Sequence, residues 1–191
     1  MKGVTEESII EAAARIVNEQ GEDALSLKGL AQDLGIKAPS LYNHVASLEN
    51  VKERLMLYGW SHLEERMVRA TMGVTGYEAM RRLCWAFYDY VEVNRGVFGI
   101  MMRYNKYSNE ETVHSTERLL QQIQILMDSV GIGREDCVHV VRLLRSFLEG
   151  FFLITNNQEL QQDNSIRESF EFSLSVLVEG FRAIARKEQS E

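Results

Sequence analysis

The sequence has a single proline, two cysteines and no long apolar run among its 191 residues. Scarce proline favours long uninterrupted helices. Cys84 and Cys137 do not form a disulfide framework, and the apolar patterns around them predict buried free thiols in a reducing compartment. Because no run reaches about 18 apolar residues, we expect no membrane-spanning helix. The first ten residues lack the apolar core of a secretory signal, so we expect a cytoplasmic protein.

The sequence also lacks an excess of positive charge, since its formal net charge is −7. The net charge is −3 over residues 1–60 and −4 over residues 61–191. This balance excludes a protein that binds nucleic acid over its whole surface. One window, 36–48, contains Lys37 and His44 and no acidic residue. Any contact with nucleic acid is therefore expected to be local.

The sequence does contain a succession of amphipathic helical segments, and no strand pattern of period two. Thr5, Ser26 and Ser47 are predicted N-caps, because each side chain can bond a free first-turn amide. Gly21 and Gly35 are predicted helix ends. Four predicted helices begin after Thr5, after Ser26, at Pro39 (running to about Val45) and at Leu48 (running to about Ala70). Five more are expected at 77–94, 96–104, 110–130, 134–156 and 163–187. The sequence thus predicts an all-α protein of about nine helices.

Residues 27–45 have the form of a helix-turn-helix. Ala31 is small where two helices approach each other, and Gly35 supplies the positive φ of the turn. Small, polar or basic residues remain for the outer face of the third helix, as entry into a major groove requires. These residues are Lys37, Ala38, Ser40, Asn43 and His44. The same spacing fits a short helical hairpin that only packs, and the pattern alone does not choose between the two interpretations.

The match extends beyond a generic helix-turn-helix. Residues 5–55 resemble the DNA-binding domain of TetR-family transcriptional repressors. The resemblance rests on Ile9-Ile10-Glu11-Ala12-Ala13, Gly21, Leu25-Ser26-Leu27, Leu30-Ala31-Gln32-Asp33-Leu34-Gly35-Ile36 and Pro39-Ser40-Leu41-Tyr42-Asn43-His44-Val45. Three later segments resemble the C-terminal ligand domain of a TetR subgroup. They are Leu144-Arg145-Ser146-Phe147-Leu148-Glu149-Gly150-Phe151, Ser169-Phe170-Glu171 and Glu179-Gly180-Phe181.

The resemblance implies an all-helical homodimer that binds double-stranded DNA at a palindromic operator. A small-molecule effector would release it. It implies a helix-turn-helix domain over residues 1–47 and a ligand-binding and dimerisation domain over residues 48–191. Lys37, Ala38, Ser40 and Asn43 would face bases, whereas Ser26, Tyr42 and His44 would hold phosphates.

The sequence departs from the family at two positions. A lysine commonly stands where this chain has Leu48, and we expect Lys52, one turn later, to replace that phosphate contact. In the subgroup's C-terminal motif a histidine usually precedes the glycine, and here that residue is Glu149.

Aromatic residues and methionines cluster in the middle of the chain. Most are expected to be core, but in a ligand-responsive bundle they also line the pocket. The predicted pocket residues are Trp85, Tyr88, Met101, Met102, Tyr104 and Met127. Because this set contains no cationic cluster, we expect a neutral or hydrophobic effector, and we expect no cofactor.

The last two predicted helices are apolar on more than one side, which indicates burial on two sides. The second side could be core or a partner subunit, and we favour a partner in a four-helix interface. The predicted interface residues are Phe147, Phe151, Phe170, Leu174, Leu177 and Phe181.

Other functions fit the sequence less well. Glu111–His114 and Asp136–His139 have di-iron spacing, but their helix starts lie about 30 Å apart along antiparallel helices, so we expect no metal site. No phosphate-binding glycine loop, nucleophile elbow or zinc-protease motif occurs, so we expect no enzyme. A redox-sensing role favours Cys137 over Cys84. The main alternative is a dimeric helical interaction module without DNA binding. The net negative charge of the N-terminal residues and Leu48 favour this alternative.

Overall fold

The structure is a computed structural model that describes residues 4–103, 110–156 and 165–188. This part of the chain contains nine α-helices, one turn of 3₁₀ helix at Glu22–Ala24 and no strand. The helices are α1 Glu6–Gln20, α2 Leu27–Asp33, α3 Ala38–Leu41, α4 Leu48–Ala70, α5 Gly76–Val93, α6 Arg95–Arg103, α7 Glu110–Asp128, α8 Arg134–Asn156 and α9 Ile166–Glu188. The predicted all-α class is confirmed. None of the described helices has the length and apolar character that a membrane crossing requires.

Three of the four early helices begin at the residues that the capping pattern predicts. The side-chain oxygens of Thr5, Ser26 and Ser47 each accept a hydrogen bond from the amide three residues further on, at 3.1–3.2 Å. Each bond satisfies an amide that has no partner within its own helix. These starts are therefore fixed by local sequence.

The third helix is shorter than the sequence predicts. It covers Ala38–Leu41 rather than 39–45, and Pro39 occupies one of its first two positions. After Leu41 the chain continues as a turn, in which the amides of His44 and Val45 both donate to the Leu41 carbonyl. The 3₁₀ turn before Leu25 has no counterpart in the prediction.

The chain divides into two compact units. The first contains Met1–Leu63 and Val91–Ser115, and the second contains Glu64–Tyr90 and Thr116–Glu191. The predicted boundary after residue 47 follows the helix-turn-helix pattern and remains a prediction about function. The two units reflect contacts between residues instead, and these contacts place α6 in the same unit as α1.

In the first unit, α1 and α6 meet through their backbones. A β-carbon at Gly96 would overlap the carbonyl of Val17, so only glycine permits this approach. Next to this contact, the Asn18 side-chain amide donates to Asn94 Oδ1 and its carbonyl oxygen accepts from the Val97 amide, both at 3.0 Å. Asn18 thus satisfies a free first-turn amide of α6 and joins that end of α6 to α1.

In the second unit, α5, α8 and α9 share an aromatic core centred on Phe170, which is fully buried. The ring centroids of four residues lie 4.7–5.3 Å from that of Phe170: Trp85, Tyr88, Phe147 and Phe151. These separations are those of favourable offset or edge-to-face pairs. Phe170 therefore anchors α9 to both of the other helices.

Candidate DNA-binding face and effector region

The turn between α2 and α3 is fixed by backbone hydrogen bonds. The Gly35 amide donates to the Gln32 carbonyl at 3.1 Å, and the Ile36 amide donates to the Ala31 carbonyl at 2.9 Å. This pair of bonds is the Schellman motif, which needs a residue of positive φ at its centre, and Gly35 has a φ of 66°. The motif determines the direction in which the chain enters α3.

Burial on one side of this pair of helices leaves the other side open. Leu30, Ala31 and Leu41 are buried, and α2 contacts α3. The predicted base-facing residues Lys37, Ala38, Ser40 and Asn43 are all exposed. Of the predicted phosphate contacts, Ser26 and Tyr42 are exposed and His44 is half-buried. The structure thus brings these residues onto the two short helices and the turn after them, where a large ligand can reach most of them.

The cations of the first unit are used in two ways. Four are ion-paired with acids of other elements: Arg15 with Asp33, Lys52 and Arg103 with Glu22, and Arg54 with Glu6. Lys28, Lys37 and, on α6, Arg95 are exposed and form no ion pair within the described residues. Sequence reasoning missed Lys28, although its place two residues after the cap Ser26 was a usable signal. These two lysines are available to an anionic partner.

The predicted phosphate contact of Lys52 does not fit this arrangement. Its ammonium lies 2.8 Å from Glu22 Oε1, and only about a fifth of the side chain is exposed. Glu22 belongs to the unpredicted 3₁₀ turn and also accepts from Arg103 at 2.7 Å. Because a phosphate would have to displace this carboxylate, we expect that Lys52 does not contact the DNA backbone.

The predicted effector-pocket residues fall in both compact units. Trp85, Tyr88 and Met127 belong to the second, and Met101 and Met102 to the first. Tyr104 lies outside the described residues. Tyr88 is buried among the rings around Phe170, and Met101 is buried where a β-carbon on Gly59 would overlap its side chain. Tyr88 and Met101 are therefore well packed, and the grouping of these residues into one pocket stays a prediction.

Trp85 is held by polar contacts as well as rings. Its indole N–H donates to Glu171 Oε2 at 3.1 Å, and the Arg167 guanidinium lies 4.3 Å from its ring centroid. Glu171 also forms an ion pair with Arg81. Burial raises the pKa of Glu171, but hydrogen bonds from Arg81, Trp85 and Ser175, together with the charge of Arg81, hold this pKa below its ordinary value.

The residues predicted for the dimer interface lie mostly inside the chain's own core. Phe170, Leu174 and Phe181 are buried, whereas Phe147, Phe151 and Leu177 are half-buried. The apolar residues that α8 and α9 expose are different ones: Leu143, Leu153, Ile154, Ile166, Phe172, Val176 and Ile184, with Val138. The prediction chose the wrong side of α9, since Phe170 and Leu174 are buried whereas Phe172 and Val176 are exposed. Periodicity identifies apolar faces without showing which one faces inward.

The two thiols have little nucleophilic character. Burial raises the pKa of Cys84 to about 12, and burial also raises the pKa of Cys137, helped by the charge of Asp128. Both side chains are buried. At neutral pH neither carries the thiolate that redox sensing requires. Among the residues that the structure describes, no group of three potential metal ligands occurs.

Comparison with known proteins extends these observations. Residues 80–177 match the family described as "Tetracyclin repressor-like, C-terminal domain". The chain is 27% identical over 179 residues to a protein of Bacillus subtilis named uncharacterized HTH-type transcriptional regulator YobS, and the match covers 93% of each protein. Over 45 residues it is 49% identical to the tetracycline repressor protein class D of Escherichia coli, covering 24% of this chain and 21% of the repressor.

One similar solved structure is the TetR family protein ActR of Streptomyces coelicolor in complex with actinorhodin. The TM-score is 0.70 at 17% sequence identity, and the match covers 96% of this chain and 99% of that one. At this identity the likeness concerns the fold.

Proposed function

The chain belongs to the tetracyclin repressor-like (TetR) family of transcriptional regulators, and we propose that it binds a palindromic operator as a homodimer and leaves it when a small effector binds. The observation that carries this proposal is the exposed face of α3. There Lys37, Ala38, Ser40 and Asn43 are all open to solvent beside a turn that fixes their direction.

The chemistry of this face suits DNA. Lysine donates to the acceptor edge of guanine, asparagine pairs with adenine, and an alanine methyl contacts the thymine methyl. Lys28, Ser26 and Tyr42 surround these residues and can donate to phosphates. Because Arg15, Lys52, Arg54 and Arg103 are paired with acids, we propose that Lys28 and Lys37 carry most of the electrostatic attraction to DNA.

We propose that the exposed apolar stripe of α9 forms the dimer interface. Phe172 and Val176 are four residues apart, so they lie on one face of the helix. Gly180, one turn further, has no heavy atom within 4 Å of a built β-carbon, and Gly150 on α8 is equally open. An open glycine inside a helix costs about 1 kcal/mol relative to alanine. Close approach of a partner helix would compensate for that cost.

Effector release requires a difference in affinity between two states. We propose that the effector binds more tightly to the head spacing that does not fit the operator, since equal affinity for both would shift nothing. The match of residues 80–177 to the tetracyclin repressor-like C-terminal domain supports an effector site in the C-terminal part. The actinorhodin complex of the similar ActR supports a small-molecule effector in the same fold. We propose a cytoplasmic, non-enzymatic regulator accordingly.

The proposal is tested by selecting duplexes from a random pool with the full-length protein. We expect an inverted repeat whose two half-sites are centred about one helical turn, or a multiple of it, apart. Four unpaired lysines per dimer predict a slope of about −3.6 for log K against log salt concentration. A folded dimer that enriches no sequence would contradict the proposal. That outcome would favour the dimeric interaction module without DNA binding, which the net negative charge of residues 1–60 also favours.

A further inference from the structure

A cavity of about 110 Å³ lies within the second unit, away from the rings around Phe170. It is formed where the last turn of α4, the connection to α5, the start of α5 and the end of α7 meet. The lining residues are Val68, Thr71, Val74, Thr75, Ala79, Leu83, Gln122, Ile125, Leu126 and Ser129. None of them belongs to the predicted effector pocket.

The buried part of this cavity is apolar, whereas its polar side chains, Thr71, Thr75, Gln122 and Ser129, are half-buried or exposed. No lining side chain is charged, and Ala79 and Leu83 are buried. The Thr71 hydroxyl donates to the Val68 carbonyl at 2.8 Å. The Ser129 hydroxyl donates to the Leu126 carbonyl at 2.7 Å and accepts from the Gly76 amide at 3.0 Å. These two hydroxyl protons are therefore already used, and Thr75 and Gln122 are exposed at the rim, so the buried part of the cavity favours an apolar occupant over a polar one.

The dimensions limit the size of that occupant. An apolar cavity of about 150 Å³ in another protein stays dry and binds benzene. A site of about 110 Å³ therefore suits one small ring or a short alkyl chain. Ile125 is 62% exposed and Gln122 is also exposed, so a longer molecule can extend past this rim.

We propose that this cavity is the effector site and takes a small, neutral, mainly hydrocarbon molecule. The regulatory part of this inference rests on the proposed function. Val68 and Thr71 belong to the last turn of α4 and the residue after it, and the Val74 amide donates back to the Thr71 carbonyl at 3.3 Å. An occupant therefore contacts the end of the long helix that begins at Leu48, directly after the proposed DNA-binding residues.

Toluene is the probe for the binding part of the inference. We expect it to raise the Tm of the full-length dimer in a concentration-dependent way, because a ligand that binds only the folded state stabilises it. Methyl NMR signals of Leu83 and Leu126 should shift in the same titration. Ile125→Trp closes the rim at an exposed position. It should weaken the affinity for toluene, measured by either readout, at least tenfold. Val138→Trp is the control, since Val138 is a half-exposed apolar residue that does not line the cavity.

A wild-type protein whose Tm and methyl signals ignore toluene would overturn the inference. Equal responses of wild type and Ile125→Trp would also overturn it, because toluene would then bind elsewhere. Ala79→Leu, which fills the floor, provides a second variant should the tryptophan rotate away from the rim.

The regulatory part is tested with the selected operator. We expect toluene to weaken operator binding by wild type and by Val138→Trp, but not by Ile125→Trp, whose operator affinity without toluene should be normal. Toluene binding at the cavity without any change in operator affinity would overturn the effector assignment while leaving DNA binding intact. Failure of the wild type to bind any duplex would instead defeat the proposed function, and the NMR titration would still decide whether the cavity is a ligand site.

Discussion

The two compact units differ in how their helices make contact. In the first, the tightest contact is backbone against glycine, at Gly96 beside Val17, and no side chain there can move aside. In the second, rings from two helices, α5 and α8, surround Phe170 of α9. A clash with backbone cannot be relieved by a change of rotamer, whereas a ring in a close-packed core can change only if its neighbours repack. The first unit is therefore sensitive to an added β-carbon at this contact, and the second is sensitive to the loss of a ring.

The largest effect is expected at the centre of the aromatic core. Phe170→Ala should lower the free energy of unfolding by about 4 kcal/mol, because it removes a fully buried ring and leaves a cavity. Urea denaturation at a fixed, saturating dimer concentration measures this change. Phe172→Ala is the matched control, since Phe172 lies two positions further along α9 and is 73% exposed. It should leave the unfolding of the chain nearly unchanged and raise the dimer dissociation constant at least about tenfold. Reversed effects at 170 and 172 would contradict both the core and the interface.

A smaller loss is expected at the backbone contact of the first unit. Gly96→Ala should cost about 3 kcal/mol, since the new methyl group meets the Val17 carbonyl and the backbone must shift. Gly99→Ala lies in the same helix, but its new methyl group meets no atom within 4 Å. That control should be neutral or more stable by up to about 1 kcal/mol, because alanine is the better helix former. Similar unfolding curves for the two variants would show that α1 and α6 are not in close contact.

The DNA face offers a test that leaves both cores untouched. Lys28→Ala and Lys37→Ala should each reduce the steepness of the salt dependence of operator binding by about 1.8, because each removes from the dimer two cations that displace counterions at the DNA. Lys52→Ala is the comparison, since Lys52 is paired with Glu22. Its salt slope should match that of wild type. A flattened slope for Lys52→Ala, with normal slopes for the other two, would show that Lys52 contacts a DNA phosphate.

The smallest effect concerns pH. The pKa of Glu171 is lowered in the folded protein, so its contribution to stability is present above the ordinary value of 4.5 and is lost as the pH falls through the folded value. Acid titration of the unfolding free energy should therefore be slightly flatter below pH 4.5 in Glu171→Gln than in wild type. The effect is modest because the side chain is 42% exposed and solvent screens its ion pair with Arg81. Identical acid limbs would show that Arg81 does not stabilise the charged form.

Local signals explain why the helix starts and the turn of the helix-turn-helix segment were predictable from the sequence. Thr5, Ser26 and Ser47 bond amides three residues away, and Gly35 closes a turn of six residues. Such contacts lie within the segment that encodes them. The residues that the family resemblance assigns to DNA likewise lie in one short continuous stretch, and this assignment stays a prediction.

The errors have long-range causes. Lys52 pairs with Glu22, 30 positions earlier, and no local pattern reveals that partner. The periodicity of α9 correctly showed two apolar stripes, but only the packing of α5 and α8 determines that Phe170 faces inward and Phe172 outward. The cavity beside α4 was equally unpredictable, since its lining comes from two stretches, 68–83 and 122–129, that are distant in the sequence.

The pairing of Arg15, Lys52 and Arg54 with acids has a consequence for the search along a chromosome. Attraction to random DNA comes almost entirely from phosphate neutralisation. With Lys28 and Lys37 as the unpaired cations of residues 4–63, and a net charge of −7 on each chain, a regulator of this kind would leave random sequence quickly. It would spend little of its time sliding, and a larger share of its copies would diffuse freely between sites. Recognition would then depend on the few base contacts of α3, so a single base change in the operator should cost this protein more of its occupancy than it costs a strongly basic regulator.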